Sequence, residues 1–299
     1  MNGLLERALG WLRRTYTVLA ESVDTWVEQR AASKGAALAF YALLSMTPIL
    51  VLAVALAGYF FGADAAQGEI LVQMQGLAGT HAAQAIQTLL AAARDPSAGL
   101  LATVLASIVL LIGATSVFCE LKGSLDELWG RPKSGRSALG TLMRTRLLAF
   151  GLVVVLAFLL LVSLVISVLL ALLERYVGGI WTSSAVALSA ASSLISFAVI
   201  AFLFAVIYKM LPDALLSWRD VWTGAIFTAA LFSLGKYAIG LYLGNSAVAT
   251  PFGAAGSVVA LLLWVYYSAQ IFFLGAYFTR EYAISYGSLQ CLQAQAARR

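Results

Sequence analysis

The chain has 299 residues, of which 62% are hydrophobic and only 11% charged, with a mean hydropathy of +0.90. About a quarter of a soluble domain is charged, so composition excludes that class and points to a polytopic membrane protein. The net charge of +5 and the isoelectric point near 9.3 then serve membrane topology and lipid headgroups, and no nucleic-acid partner is expected.

Residues 1–33 place Leu5, Leu9, Leu12, Tyr16, Leu19, Val23, Trp26 and Val27 at three-and-four spacing, with Arg7, Arg13, Arg14, Glu21, Asp24 and Glu28 between them. The pattern predicts an amphipathic helix, either in the membrane interface or packed on the protein's own loops. Ser33 to Phe61 holds the first span, about 36–61. Pro48 removes a backbone donor there and predicts a kink, with Ser45 and Thr47 placed to satisfy the freed carbonyls. Residues 62–98 are amphipathic and rich in Ala and Gln, with Ile70, Met74, Leu77, Ile86 and Leu89 as apolar positions, the pattern of short helices on the membrane surface. Five further spans follow at 99–119, 147–173, 184–211, 220–243 and 255–279, with a polar loop over 120–146. The expected fold class is therefore all-α. It has an amphipathic interfacial helix (1–33), a six-helix transmembrane domain (34–283) with amphipathic helices between spans one and two, and a tail (284–299).

Six spans put both termini on one side. Arg7, Arg13, Arg14, Arg30, Lys34, the six cations of the 120–146 loop, Lys209, Arg219, Arg280, Arg298 and Arg299 fall on that face; Arg94 and Arg175 fall on the other. The positive-inside rule makes both termini cytoplasmic. The N-terminus lacks the succession of a cleavable secretory signal, so the first span is expected to act as an uncleaved insertion signal.

The fifth span, VWTGAIFTAALFSLGKYAIGLYL, is interrupted by one cation, Lys236. An ammonium at the centre of a transmembrane helix costs about 2.5–3.5 kcal/mol on insertion scales unless it snorkels, meets water or finds an anion. Its stem is long enough to reach the nearer interface; the alternative is a polar cavity holding an anionic group. Ser189, Ser192, Ser193 and Ser196 recur on one face of the fourth span, and Ser163 and Ser167 on the third, all in the outer half with Lys236. Such faces let helices approach closely, or they line a pocket open to the outer leaflet. No acidic residue lies at matching depth within a span, although Asp64, Glu69 or Glu174 from the outer loops are in range of folding back. Gln270, Tyr266, Tyr267, Tyr41 and Ser45 are further intramembrane polar candidates, read first as interhelical hydrogen-bond formers. Pro251, Gly253 and Gly256 precede the sixth span and favour a tight turn, and Trp181 and Trp222 suit a lipid interface.

Catalytic signatures are poor. There is one histidine, His81, no i,i+4 metal-ligand pair and no phosphate-cradling glycine loop, so neither metal nor cofactor is expected. Asp126 and Glu127 are adjacent in the basic loop and would point apart on a helix. Cys119 and Cys291 have no metal or redox spacing.

Three stretches, AALAFYALLSMTPIL, YKMLPDALLSWRDVWTGAIFTAALFSLGKY and GAAGSVVALLLWVYYSAQIFFLGAYFTREYA, occur in an order and spacing that resemble the YihY/BrkB family of bacterial inner-membrane proteins. The resemblance runs from about Ser33 to Ala283, and its matching motif residues are Tyr41, Ser45, Pro48, Pro212, Lys236, Gly253, Gly256, Trp264, Tyr267, Gln270 and Gly275. The loop reading SLDELWG departs from the family pattern. The resemblance implies a six-span protein of the bacterial cytoplasmic membrane linked to envelope integrity and lipid traffic, with these residues structural or translocating rather than catalytic. Some members have carried the label ribonuclease BN.

Three functions are thus in view. The first is binding or translocation of an anionic amphiphile such as a phospholipid, at Lys236 and the serine faces. The second is a structural or assembly protein, a homo-oligomer or a binder of envelope proteins, docking through 1–33 and 62–98. The third, a membrane ribonuclease, lacks the clustered carboxylates or histidines that metal-assisted hydrolysis needs, and no enzymatic activity is expected.

Overall fold

A computed structural model of the chain describes residues 2–93, 116–117, 119–130, 182–212, 216–245 and 256–290. Among the described residues the structure is helical throughout, with no strand. Helices α1 (Asn2–Glu28), α2 (Ala31–Phe61) and α3 (Ala63–Ala93) are followed by α4 (Thr182–Met210), α5 (Trp218–Asn245) and α6 (Gly256–Ser285). Two of them are long and apolar enough to cross a membrane, α4 through Ser193–Met210 and α6 over Gly256–Ser285. The spans expected at 99–119 and 147–173 lie outside the described residues, apart from a few at the end of the first. The tail from 291 lies outside them as well.

The chain divides into two compact units. One comprises Met1–Thr25, Leu125–Leu231 and Leu274–Arg299, the other Trp26–Ser124 and Phe232–Phe273.

The second unit is built on an α2–α3 hairpin. Leu50 and Val54 of α2 pack with Ala82, Ala85, Ile86 and Leu90 of α3 and with Leu261 of α6. Residues 62–98 were expected to form short amphipathic helices on the membrane surface, and their described part consists of two helical segments that meet at Gly79. The second segment is buried at Ala82, Ala85 and Ile86, while Gln84, Gln87 and Thr88 face outward. Ile70, Met74, Ile86 and Leu89, the apolar positions of the sequence, lie on the packing face, and alanine lets the backbones of α2 and α3 approach closely.

The interruption in α3 falls at Gly79, whose φ of 84° and ψ of 175° are a conformation open to glycine almost alone. Space around it is not the constraint, since a Cβ there would meet nothing within 4 Å. Gly79→Ala is therefore expected to cost about 1–3 kcal/mol through backbone strain only, seen as a lower melting temperature in detergent; an unchanged value would mean that the bend relaxes freely.

The expected loop over 120–146 begins as a helical stretch, 119–128, with Leu121, Leu125 and Leu128 buried at three-and-four spacing. Trp129 N–H donates to Leu125 O at 3.0 Å, and Gly130, at φ 66°, closes the turn. The signal was present in SLDELWG but was masked by the surrounding charges. Leu121 and Ser124 belong to the second unit and Leu125 onward to the first.

Helices α5 and α6 pair antiparallel, and in the first unit the pairing is reciprocal. Gly224 of α5 lies against Thr279 of α6, while Gly275 of α6 lies against Thr228 of α5. Each threonine hydroxyl donates to the carbonyl of the glycine four residues earlier on its own helix, at 2.7 Å in both cases. The hydroxyls are thereby satisfied without water, and the small glycine faces admit them. Tyr208 of α4 joins through a 3.1 Å hydrogen bond to Thr228 Oγ1, in which the tyrosine donates because the threonine proton is already engaged. Phe227 and Phe278 stack beside this seam with centroids 4.1 Å apart.

Candidate functional site

Lys236 lies just past a close approach of α5 to α6 in the second unit. A Cβ at Gly235 would stand 2.6 Å from the Tyr267 hydroxyl and 2.8 Å from Ile271 Cδ1, so glycine is needed for the two helices to touch. Lys236 itself is half-buried. Its ammonium sits 5.4 Å from the centroid of the Tyr237 ring, and Tyr237 and Leu234 are 69% and 74% exposed. Among the described residues no carboxylate pairs with it; the side chain of Glu69 and all of Glu174 lie outside them. A cation over an exposed ring gains about 0.5–1 kcal/mol, which leaves its capacity for an anion largely unspent.

Ser193 and Ser196 are exposed on α4 and belong to the unit that does not contain Lys236. The side chains of Ser189, Ser192 and Pro48 lie outside the described ones although their backbones are helical, and Ser163, Ser167, Pro251 and Gly253 lie outside the described residues altogether. Pro212 is buried directly after α4, and Gly256 is buried at the start of α6.

Helix α2 runs unbroken through Pro48. Proline withholds the donor that Leu44 O would otherwise receive. Ser45 does not supply it: its buried hydroxyl turns back to Tyr41 O at 3.0 Å and Ala42 O at 3.2 Å. Tyr41 is half-buried, its ring edge-on to Phe40 at 5.8 Å. Gln270 of α6 reaches α2, where its Nε2 donates to Ala32 O at 3.4 Å beside Gly35, and its Oε1 is buried without a hydrogen-bond partner among the described residues.

The sequence reading missed Asp220. This residue is 3% exposed at the start of α5. Its Oδ2 accepts from Ser288 N–H at 2.9 Å and from the Ser288 hydroxyl at 2.6 Å, and its own N–H donates to Ser217 Oγ at 3.2 Å. Serine three residues before an acid is the usual start of a helix, so the cap was visible in SWRD; the Ser288 partner beyond α6 was not. Beside it Lys209, at the end of α4, donates to Leu216 O and lies 5.8 Å from the Trp218 ring. The described residues hold no group of three His, Cys, Asp or Glu side chains placed to ligate a metal.

The family model for virulence factor BrkB matches residues 22–298. The chain belongs to the BrkB family. The motif stretches that resembled it are thus part of a match over nearly the full chain, and the protein is a membrane protein of this family. Among curated proteins it is 27% identical over 172 residues to a UPF0761 membrane protein of Verminephrobacter eiseniae, covering 57% of this chain and 39% of that one. It is 27% identical over 241 residues to a UPF0761 membrane protein of Ralstonia nicotianae, covering 80% of this chain and 52% of that one. A third, from Chromobacterium violaceum, is 34% identical over 87 residues, 29% of this chain and 20% of that one. The BrkB chain thus spans about half or less of the length of these relatives. No solved structure matches it.

Proposed function

We propose that this BrkB family member is a six-span protein of the bacterial cytoplasmic membrane, with both termini cytoplasmic, that binds or translocates an anionic amphiphile. The ligand class is a phospholipid or another envelope precursor, and the role is envelope maintenance without catalytic chemistry. The observation that carries the reading is the Lys236 ammonium, half-exposed beside an exposed tyrosine on an apolar helix, with no carboxylate partner among the described residues. A phosphate headgroup supplies the missing charge, and its acyl chains suit the exposed Leu234.

Helix α1 supports the membrane setting. Val18 and Ser22 are buried, Tyr16, Val23 and Val27 form an exposed apolar stripe, and Glu21, Asp24 and Glu28 occupy the next sector. Three sectors fit three surroundings, namely protein, lipid and water, as for a helix in the interface. The two-residue turn to α2 keeps the end of α1 at the depth where α2 begins.

Lys236→Met, purified at normal yield, is expected to bind fluorescent phosphatidylglycerol about fivefold more weakly, from about 1 kcal/mol per cation near an anionic headgroup. Lys236→Arg should retain binding. Unchanged affinity and unchanged lipid translocation in vesicles with the methionine variant would sink the reading.

A further inference from the structure

Lys236 is one end of a longer feature of α5. Successive turns of this helix expose Trp218, Trp222, Ile226, Ala230, Leu234 and Tyr237, while Val221, Ala225, Thr228 and Ala229 are buried. The exposed stripe is apolar from end to end, and each end has an exposed aromatic ring with cations near it: Trp218, next in sequence to Arg219 and 5.8 Å from Lys209, and Tyr237, 5.4 Å from Lys236. Arg219 is exposed and, like Lys236, has no carboxylate partner among the described residues. The stretch of helix between the two cations is about 26 Å long at 1.5 Å per residue, close to the roughly 30 Å of a hydrocarbon core.

We infer that this stripe of α5 faces lipid across the whole bilayer and that Arg219 and Lys236 each hold an anionic phospholipid headgroup, in opposite leaflets. The inference rests on the proposed role of Lys236 and extends it to a second site. Ring-and-cation pairs separated by a hydrocarbon thickness match the two interfaces of a membrane, where aromatic rings and basic side chains anchor. A seam for a second copy of the chain would need neither the cations nor that spacing, and would favour small residues where this stripe has bulky ones.

Two measurements on the full chain test it. In a background of Cys119→Ser and Cys291→Ser, a cysteine replaces each of the six stripe residues in turn and receives a nitroxide, and the protein is placed in phosphatidylcholine vesicles. Collisions with oxygen should peak at 226 and 230, while collisions with a water-soluble nickel chelate should rise toward 218 and 237. Low collision rates with both reagents at all six positions, as under a second copy, or nickel access along the whole stripe, would overturn the inference. In vesicles containing phosphatidylglycerol, Arg219→Gln should purify with roughly half the tightly retained phosphatidylglycerol of the parent, as for one headgroup cation of two. Loss with Lys236→Met but not with Arg219→Gln overturns the second site alone; loss with neither removes the Lys236 reading as well.

Discussion

Gly275→Ala is expected to lower the melting temperature of the purified protein more than any other single methyl addition on α6. The new Cβ would collide with the Thr228 hydroxyl and lie 2.8 Å from Thr228 Cβ and 2.7 Å from the Tyr208 hydroxyl. None of these is the loose end of a flexible chain. Thr228 is tied to Gly224 O and Tyr208 is tied to Thr228, all of them buried. The helices must separate or the polar seam must break. Overpacking costs about 1–3 kcal/mol, and a buried hydroxyl left without its partner adds about 1–3 kcal/mol.

The reciprocal pair supplies the control. At Gly224 the three nearest atoms to an added Cβ all belong to Thr279, at distances that include 2.7 Å to its Cβ and 3.0 Å to its Cγ2. Gly224→Ala should therefore destabilise alone and recover most of the loss when combined with Thr279→Gly, which removes the whole obstacle. A thermal-unfolding series in detergent reads this directly. Additive losses in the double variant would mean that the two helices do not meet at these residues.

What the sequence disclosed and withheld follows from the range of each interaction. The amphipathic period of α1 and the apolar lengths of α4 and α6 are local, and they are present in the structure with boundaries shifted by a few residues. Lys236 stood out because a lone cation in an apolar run is legible at one position. The serine stripe of α4 was read as a close-approach face or a pocket wall; Ser193 and Ser196 are exposed, and the side chains of Ser189 and Ser192 lie outside the described ones. The described close approaches use glycine instead, at Gly35, Gly224, Gly235 and Gly275, opposite Gln270, Thr279, Tyr267 and Thr228. A glycine shows in sequence that space is wanted, but its partner lies on another helix and cannot be read from spacing.

The Ser288 partner of Asp220 is hidden from sequence reasoning, and Asp220→Ala is expected to release the turn after α6. The carboxylate holds Ser288 through both its N–H and its hydroxyl, and Gly287 must be small because a Cβ there would lie 2.5–2.7 Å from the carboxylate atoms. The site is at the N-terminus of α5, where the helix dipole favours a negative charge by about 0.3–1 kcal/mol. Hydrogen bonds to a charged acceptor add about 1.5–3 kcal/mol. Truncation removes both of these hydrogen bonds, so the loss should be about 1.5–3 kcal/mol, and protease cleavage just beyond residue 285 should speed up accordingly. Asp220→Asn keeps one acceptor oxygen and should fall between parent and alanine. Gly287→Ala should give the same cleavage pattern without touching the carboxylate. The two substitutions Asp220→Ala and Ser288→Ala should couple strongly, since either removes the same contact. Strictly additive effects on melting temperature, or unchanged cleavage after residue 285 in all four single variants, would show that this buried acid does not fasten α5 to the end of α6.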